Sequence, residues 1–185
     1  MKSLIIGHML LIICCLFYLA WWCFSFRPGF EGSKVTGLPG ALLLITAITG
    51  LSGTGFLITG INQAGSRPAL IPSGLIIIGG IVLYILLFIG TSVCMHRQVT
   101  TELLLIIGWL VLECLSYQKV YCMERIDIPS MVLLLIIASV AAICSLFFYL
   151  QYYRVDAIRG FIYGMIPLIT EALSMIAFLL ACLKK

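Results

Sequence analysis

The sequence predicts an all-α integral membrane protein: a single domain, residues 1–185, built as a bundle of six transmembrane helices. Hydrophobic residues make up 63% of the 185 residues and charged residues only 10%, whereas a soluble domain carries about 25% charged residues. A helix needs about 20 apolar residues to cross a bilayer, and six stretches reach or approach that length. This composition excludes an ordinary soluble enzyme, a disordered chain, a nucleic-acid-binding protein and a secreted disulfide scaffold.

Short links with turn-forming residues separate the predicted helices. Arg27-Pro28-Gly29 ends the first helix, and Pro39-Gly40 begins the second. Residues 65–68 (GSRP) lead into the third helix, residues 127–130 (DIPS) open the fifth, and Arg159-Gly160 opens the sixth. The predicted spans are therefore residues 4–24, 40–61, 70–95, 103–122, 131–152 and 161–183.

The fourth span is the least regular, because Glu113, Gln118 and Lys119 interrupt its second half. If Gln118 and Lys119 lie at the membrane interface, Lys119 can extend its ammonium group into water. The helix then still spans the bilayer, and only Glu113 remains within its apolar part.

An even number of spans places both ends of the chain on one side of the membrane. That side would carry six Lys and Arg residues and the other side five, which is a small difference for the positive-inside rule. We expect a multi-pass protein of a bacterial-type cytoplasmic membrane, with both termini in the cytoplasm. The expected partners are the lipid bilayer, a small solute or cation, and a partner membrane subunit or a second copy of the chain.

The two halves of the chain resemble each other in places. Leu4-Ile5-Ile6-Gly7 matches Leu105-Ile106-Ile107-Gly108, and residues 42–45 and 133–136 share the same four residue types. Three spans per half would relate the halves as an inverted repeat, as in many transporters. The alternative is that helices rich in Leu and Ile match one another by composition alone.

Two glutamates, Glu113 and Glu171, fall inside the predicted spans, where an ionisable residue costs about 2.5–3.5 kcal/mol on insertion scales. The fourth and sixth spans run in the same direction. Each glutamate lies ten residues beyond its predicted helix start, which is about 15 Å at 1.5 Å per residue. We therefore expect both carboxyls in one layer near the middle of the membrane.

Polar residues accompany both glutamates and also occur in the second span, residues 46–55. Residues three and four positions apart share a helix face, and a proline inside a helix leaves a backbone carbonyl without its usual partner. Glycines and this proline suggest helix breaks and hinge motion. The predicted binding residues are Glu113, Glu171, Ser52, Thr54, Ser116, Tyr117, Thr170 and Ser174, and the predicted hinge residues are Pro167, Gly50, Gly53 and Gly55.

These features favour a small-solute or ion transporter, or a solute-binding subunit, with Glu113 and Glu171 as cation- or proton-binding carboxyls. A structural or accessory subunit, whose glutamates only fasten helices, is the first alternative. A lipid-modifying membrane enzyme is the second. It is the weaker interpretation, because no catalytic nucleophile–base pair, metal-ligand set or cofactor motif is found.

Gly50-Leu51-Ser52-Gly53 is similar to the GxSG motif of rhomboid intramembrane proteases. Such a serine needs a histidine within hydrogen-bond reach. Of the two histidines, His96 lies beyond the third span and His8 lies close to the opposite membrane face. We therefore reject a protease, and expect both histidines to be helix-end residues without partners.

Overall fold

The computed structural model describes residues 1–27, 29, 34–95, 100–152 and 154–183. These residues form six α-helices and no strand: α1 (Lys2–Ser25), α2 (Gly37–Ile61), α3 (Ser73–Met95), α4 (Thr100–Cys122), α5 (Ile128–Tyr152) and α6 (Ala157–Leu183). Each of the six helices is long and apolar enough to cross a membrane. The protein is a polytopic membrane protein in contact with the lipid bilayer, and the predicted all-α fold class is confirmed.

Local hydrogen bonds explain why some helices begin away from the predicted positions. α6 begins at Ala157, one turn earlier than predicted, because the Asp156 carboxylate accepts a hydrogen bond from the Arg159 amide at 2.8 Å. α3 begins at Ser73, three residues later than predicted, because the Ile71 backbone is bonded to Gln118 instead of entering the helix.

Gln118, which seemed to interrupt the fourth span, is buried at the end of α4. Its side-chain oxygen accepts a hydrogen bond from the Ile71 amide at 2.9 Å, and its side-chain nitrogen donates to the Ile71 carbonyl at 2.8 Å. The Cys122 carbonyl also accepts bonds from the amides of Ser66 and Arg67. The link between α2 and α3 is therefore fixed to the end of α4, and both polar ends of Gln118 are satisfied.

α1 and α2 pack closely because glycines remove the side chains between them. A Cβ atom placed at Gly53 would lie 3.0 Å from a Leu11 methyl group and 3.1 Å from the Gly7 carbonyl oxygen. A Cβ atom at Gly7 or Gly60 would similarly meet Leu57 or Leu4. Close approach through small residues is a main source of helix association in membranes, where lipid is as apolar as the helix surfaces.

The predicted helix breaks are absent, because α2 and α6 are continuous through all four proposed hinge residues. Gly50 and Gly53 face α1, where a Cβ atom at Gly50 would lie 3.1 Å from the Cys14 sulfur. A Cβ atom at Gly55 would meet nothing within 4 Å, and Pro167 is buried within α6. Gly50 and Gly53 therefore serve close packing, and hinge motion at these positions stays a prediction.

α4 is the most buried helix and α3 is the most exposed to lipid. α4 packs against α2, α3 and α5, while α6 packs along α5 and against α1. At the α1–α6 contact, the Trp22 indole lies over Gly164 and donates its N–H to the Phe161 carbonyl at 2.9 Å. The interior of the bundle therefore lies around α4, with α1 and α6 beside it.

The packing does not mirror the two halves of the chain. An inverted repeat would match the α5–α6 contact with one between α2 and α3. In the described ranges α5 packs along α6, whereas the main neighbour of α3 is α4. The inverted repeat therefore stays a sequence-based prediction that the helix contacts do not reproduce.

We expect Gly53→Val to lower the free energy of unfolding by about 1–3 kcal/mol, because the added methyl groups overpack the α1–α2 contact. Gly55→Val is the matched control on the same helix, and its added atoms enter open space. Its effect is expected to stay within about 0.5 kcal/mol. Denaturation of both variants in the same lipid or detergent measures the difference, and equal effects would contradict the close contact.

Candidate functional site

His8 of α1 and Glu113 of α4 form a buried pair across the bundle. α1 and α4 cross the membrane in opposite directions; His8 lies six residues after the start of α1, and Glu113 lies nine residues before the end of α4. Their depths therefore match to within a few ångströms. His8 Nε2 lies 3.2 Å from Glu113 Oε2, and both side chains are 0% exposed. The prediction that His8 is a helix-end residue without a partner was wrong.

The hydrogen bonds of His8 fix where protons lie on its ring. Nδ1 lies 2.8 Å from the Leu4 carbonyl oxygen, which only accepts hydrogen bonds, so Nδ1 carries a proton. Nε2 and Glu113 Oε2 then need one further proton between them, since a bare ring nitrogen facing a carboxylate would be repelled. With that proton the pair has no net charge, whether it lies on the ring or on the carboxyl. A neutral pair is what an apolar interior tolerates.

Aromatic rings enclose this pair. The Phe178 ring of α6 stacks on the His8 ring at a centroid distance of 4.1 Å and on the Tyr117 ring at 5.2 Å. The Tyr117 hydroxyl lies 3.5 Å from the Ser174 hydroxyl, so α4 and α6 also meet through polar groups. Three of the predicted site residues, Tyr117, Ser174 and Glu113, are thus brought to one buried cluster, together with His8.

Two polar atoms in this cluster lack a hydrogen-bond partner in the described part of the chain. They are Glu113 Oε1 and the Ser116 hydroxyl oxygen, and both belong to fully buried residues. Glu113 and Ser116 are three residues apart and share one face of α4. The Glu113 carboxyl is therefore bonded at one oxygen only, which matters for where its proton lies.

Glu171 is placed differently, because it lines a cavity of about 530 Å³ among the helices. Glu113 lies 13 residues after the start of α4, and Glu171 14 residues after the start of α6; a common layer in the membrane stays a prediction. The Tyr117 and Ser174 hydroxyls, each one turn after a glutamate, lie 3.5 Å apart, so the two glutamates are near each other. The Glu113 side chain packs against His8 and does not line the cavity. The half-buried Glu171 side chain does line the cavity.

The cavity is bounded mainly by α1, α2, α4 and α6, and most of its lining side chains are apolar. Of the lining residues, only Glu171 carries a formal charge. Sequence reasoning missed the aromatic residues Tyr18, Trp109 and Tyr149 on its wall, because an aromatic residue in an apolar helix gives no sign of which way it faces. The lining residues are Leu11, Cys14, Cys15, Tyr18, Thr46, Ala47, Gly50, Thr54, Leu104, Leu105, Ile106, Gly108, Trp109, Leu112, Tyr149, Leu168, Glu171 and Met175.

The remaining predicted residues are divided between the cavity, the α5–α6 contact and the lipid. Thr54 and Gly50 line the cavity. The Thr170 hydroxyl lies 3.4 Å from the Ser145 hydroxyl of α5. Ser52 is exposed on the outer face of α2 and joins neither the cavity nor the buried cluster. The structure therefore brings Thr54 together with Glu171 at the cavity, but not Ser52.

Within the described ranges, no group of three or more His, Cys, Asp and Glu residues is placed to hold a metal ion. Comparison with protein-family models, curated protein sequences and solved structures found no match for this chain. Two features of the structure are therefore relevant to function. One is the buried His8–Glu113 pair, which shares a proton, and the other is the cavity lined by the Glu171 carboxyl.

We expect His8→Leu to lower the free energy of unfolding by about 3–5 kcal/mol, because it leaves the buried Glu113 carboxyl without a partner at either oxygen. The control is Ser116→Ala, at a position one turn after Glu113 on α4. Removing a hydroxyl that has no partner should be neutral or stabilising. Denaturation in a common detergent compares the two, and a small loss for His8→Leu would contradict the pair's structural importance.

Proposed function

We propose that this protein binds a small organic cation with an apolar body and carries it across the membrane, as a transporter or as its solute-binding subunit. The observation that supports the proposal is the position of Glu171, which is the one charged residue that the described part of the chain contributes to the cavity wall. A carboxyl at such a depth is costly unless it has a function or a partner.

The size of the cavity suits a small molecule. Ligand pockets usually enclose about 300–1,000 Å³ and are lined mainly by apolar and aromatic side chains with few polar groups. The cavity between α1, α2, α4 and α6 encloses about 530 Å³. A molecule of one to three fused or linked rings fits this volume.

The charge and the aromatic walls favour a cation over an anion or a neutral solute. A cation beside Glu171 gains electrostatic energy that water would otherwise screen, because the surroundings have a low dielectric constant. Tyr18, Trp109 and Tyr149 add ring faces that attract cations. An apolar body on the ligand would contact the Leu, Ile and Met side chains that form the rest of the wall.

The accessory-subunit alternative draws support from Glu113 but not from Glu171. Glu113 is bonded to His8 on another helix and has no access to the cavity, as expected of a residue that fastens helices. Glu171 lines the cavity instead and forms no ion pair within the described part of the chain, although its carboxyl also lies beside the Ser145 hydroxyl of α5. Substitutions at Glu113 and at Glu171 can therefore distinguish an accessory subunit from a transporter experimentally.

We expect wild-type protein in lipid nanodiscs to bind ethidium, a permanently charged aromatic cation, and Glu171→Gln to weaken this binding at least about tenfold. Tenfold corresponds to about 1.4 kcal/mol, a modest value for losing one charge pair at low dielectric. Fluorescence anisotropy measures the affinity. In liposomes loaded with DNA, the wild type should speed ethidium entry and Glu171→Gln should not.

The matched control is Glu124→Gln, which makes the same chemical change at an exposed residue whose carboxylate lies 3.3 Å from Arg67 Nε. It should bind and transport ethidium like the wild type. Phenanthridine, the uncharged parent ring, should not distinguish wild type from Glu171→Gln. Equal ethidium affinity and entry rate for wild type and Glu171→Gln would refute the proposed function.

A further inference from the structure

The buried His8–Glu113 pair lies outside the cavity wall, and cation binding at Glu171 makes no direct use of it. We propose that this pair is a proton-binding site which holds a single proton between His8 Nε2 and Glu113 Oε2, and that this proton moves toward His8 when a cation occupies the cavity. The first part stands on the geometry of the pair alone, while the second rests on the proposed function.

The pair holds one proton because both other occupancies leave a net charge in an apolar interior. Adding a proton would give an imidazolium beside a neutral carboxylic acid. Removing it would leave a carboxylate facing the lone pair of Nε2, since Nδ1 keeps its proton on the Leu4 carbonyl. An uncompensated buried charge costs several kcal/mol, so the singly protonated pair is the stable state.

Within that state the proton has two positions. In one, Glu113 is a carboxylic acid that donates to neutral Nε2. In the other, the O–H bond at Oε2 has broken, an N–H bond has formed at Nε2, and an imidazolium faces a carboxylate. The transfer needs no other reactant and changes no net charge. Because Glu113 Oε1 lacks a donor that would stabilise the carboxylate, nearby charges and the Tyr117 hydroxyl beside Glu113 decide between the two positions.

Glu171 is the charged group that influences whether the shared proton lies on Glu113 or on His8. In the described part of the chain, the titratable residues near Glu113 are Cys114 and Tyr117 on α4 and Glu171 on α6; Cys15 on α1 lies near Glu171, and α2 carries no titratable side chain. Of these, Glu171 is the one with a carboxyl, and the Tyr117 and Ser174 hydroxyls, which lie 3.5 Å apart and each one turn from a glutamate, place it near Glu113. A negative charge on Glu171 opposes a second one on Glu113.

A cation in the cavity would cancel the charge of Glu171 and so allow Glu113 to give its proton to His8. The cavity also borders the pair, because Leu11 of α1, one turn from His8, and Leu112 of α4, next to Glu113, both line it. By thermodynamic reciprocity, a shift of the proton toward His8 would in turn strengthen cation binding. The proton site and the cavity thus form one coupled unit.

The test is ¹⁵N NMR of protein labelled at its histidines, in lipid nanodiscs. The chain has two histidines, so His96→Gln leaves His8 as the only labelled ring. We expect a protonated Nδ1 and an Nε2 resonance between those of neutral imidazole and imidazolium, because Nδ1 donates to the Leu4 carbonyl and Nε2 shares its proton with Glu113. An exchanging mixture of the two neutral tautomers, or a proton on Nε2 with Nδ1 bare, would overturn the proton site.

Saturating ethidium should move the Nε2 resonance toward the imidazolium value in the wild type, and the shift should vanish in Glu171→Gln. In Glu113→Gln the side-chain amide can donate to Nε2, which preserves the bond without a transferable proton. Nε2 should then remain a neutral acceptor with or without ethidium. If Glu113→Gln does not fold, the wild type and Glu171→Gln decide the question.

The outcomes separate this inference from the proposed function. Ethidium binding without any change at His8 overturns the coupling and leaves the proposed function standing. Failure of ethidium to bind overturns the proposed function and the coupling together, while the ¹⁵N spectrum without ethidium still decides whether the pair is a proton site.

Discussion

The interior of this bundle is organised by the requirement that ionisable groups within a membrane sum to zero charge. His8 and Glu113 meet this requirement with one shared proton, and each is fully buried because the other is present. The pair fixes α1 against α4, the Leu4 carbonyl fixes the ring, and Phe178 closes the contact from α6. Glycines on α1 and α2 then let α2 pack closely along α1. The neutral His8–Glu113 pair and the packing around it therefore position four helices, α1, α2, α4 and α6.

The two glutamates predicted to lie within the membrane differ in access. Glu113 is enclosed by side chains from three helices, and Glu171 faces a cavity wide enough for a small molecule. In the proposed function this difference assigns the proton to one carboxyl and the cation to the other. In the proposed coupling, the short distance between α4 and α6 at Tyr117 and Ser174 lets the two occupancies influence each other without a common binding site.

The sequence predicted what depends on local composition, and missed what depends on helix rotation. Span number follows from counting residues along apolar helices. In a soluble helix a polar stripe reveals the outer face, but in lipid both faces of a helix are apolar. Ser52 was therefore predicted to line a site, although it is exposed on the outer face of α2. His8 was predicted to have no partner because its position along α1 was not compared with that of Glu113 along the antiparallel α4. Counting residues from the ends of the two predicted helices would have placed them close together.

The separation of His8 and Glu113 by 105 positions in the chain also has a consequence for biosynthesis. α1 leaves the ribosome long before α4 has been made, so its histidine first enters the membrane with only the Leu4 carbonyl as a partner. The α1–α2 hairpin can form at that stage through its glycines, but the His8–Glu113 contact cannot. The contact that fixes the first helix against the bundle interior therefore forms only after the fourth helix has been made.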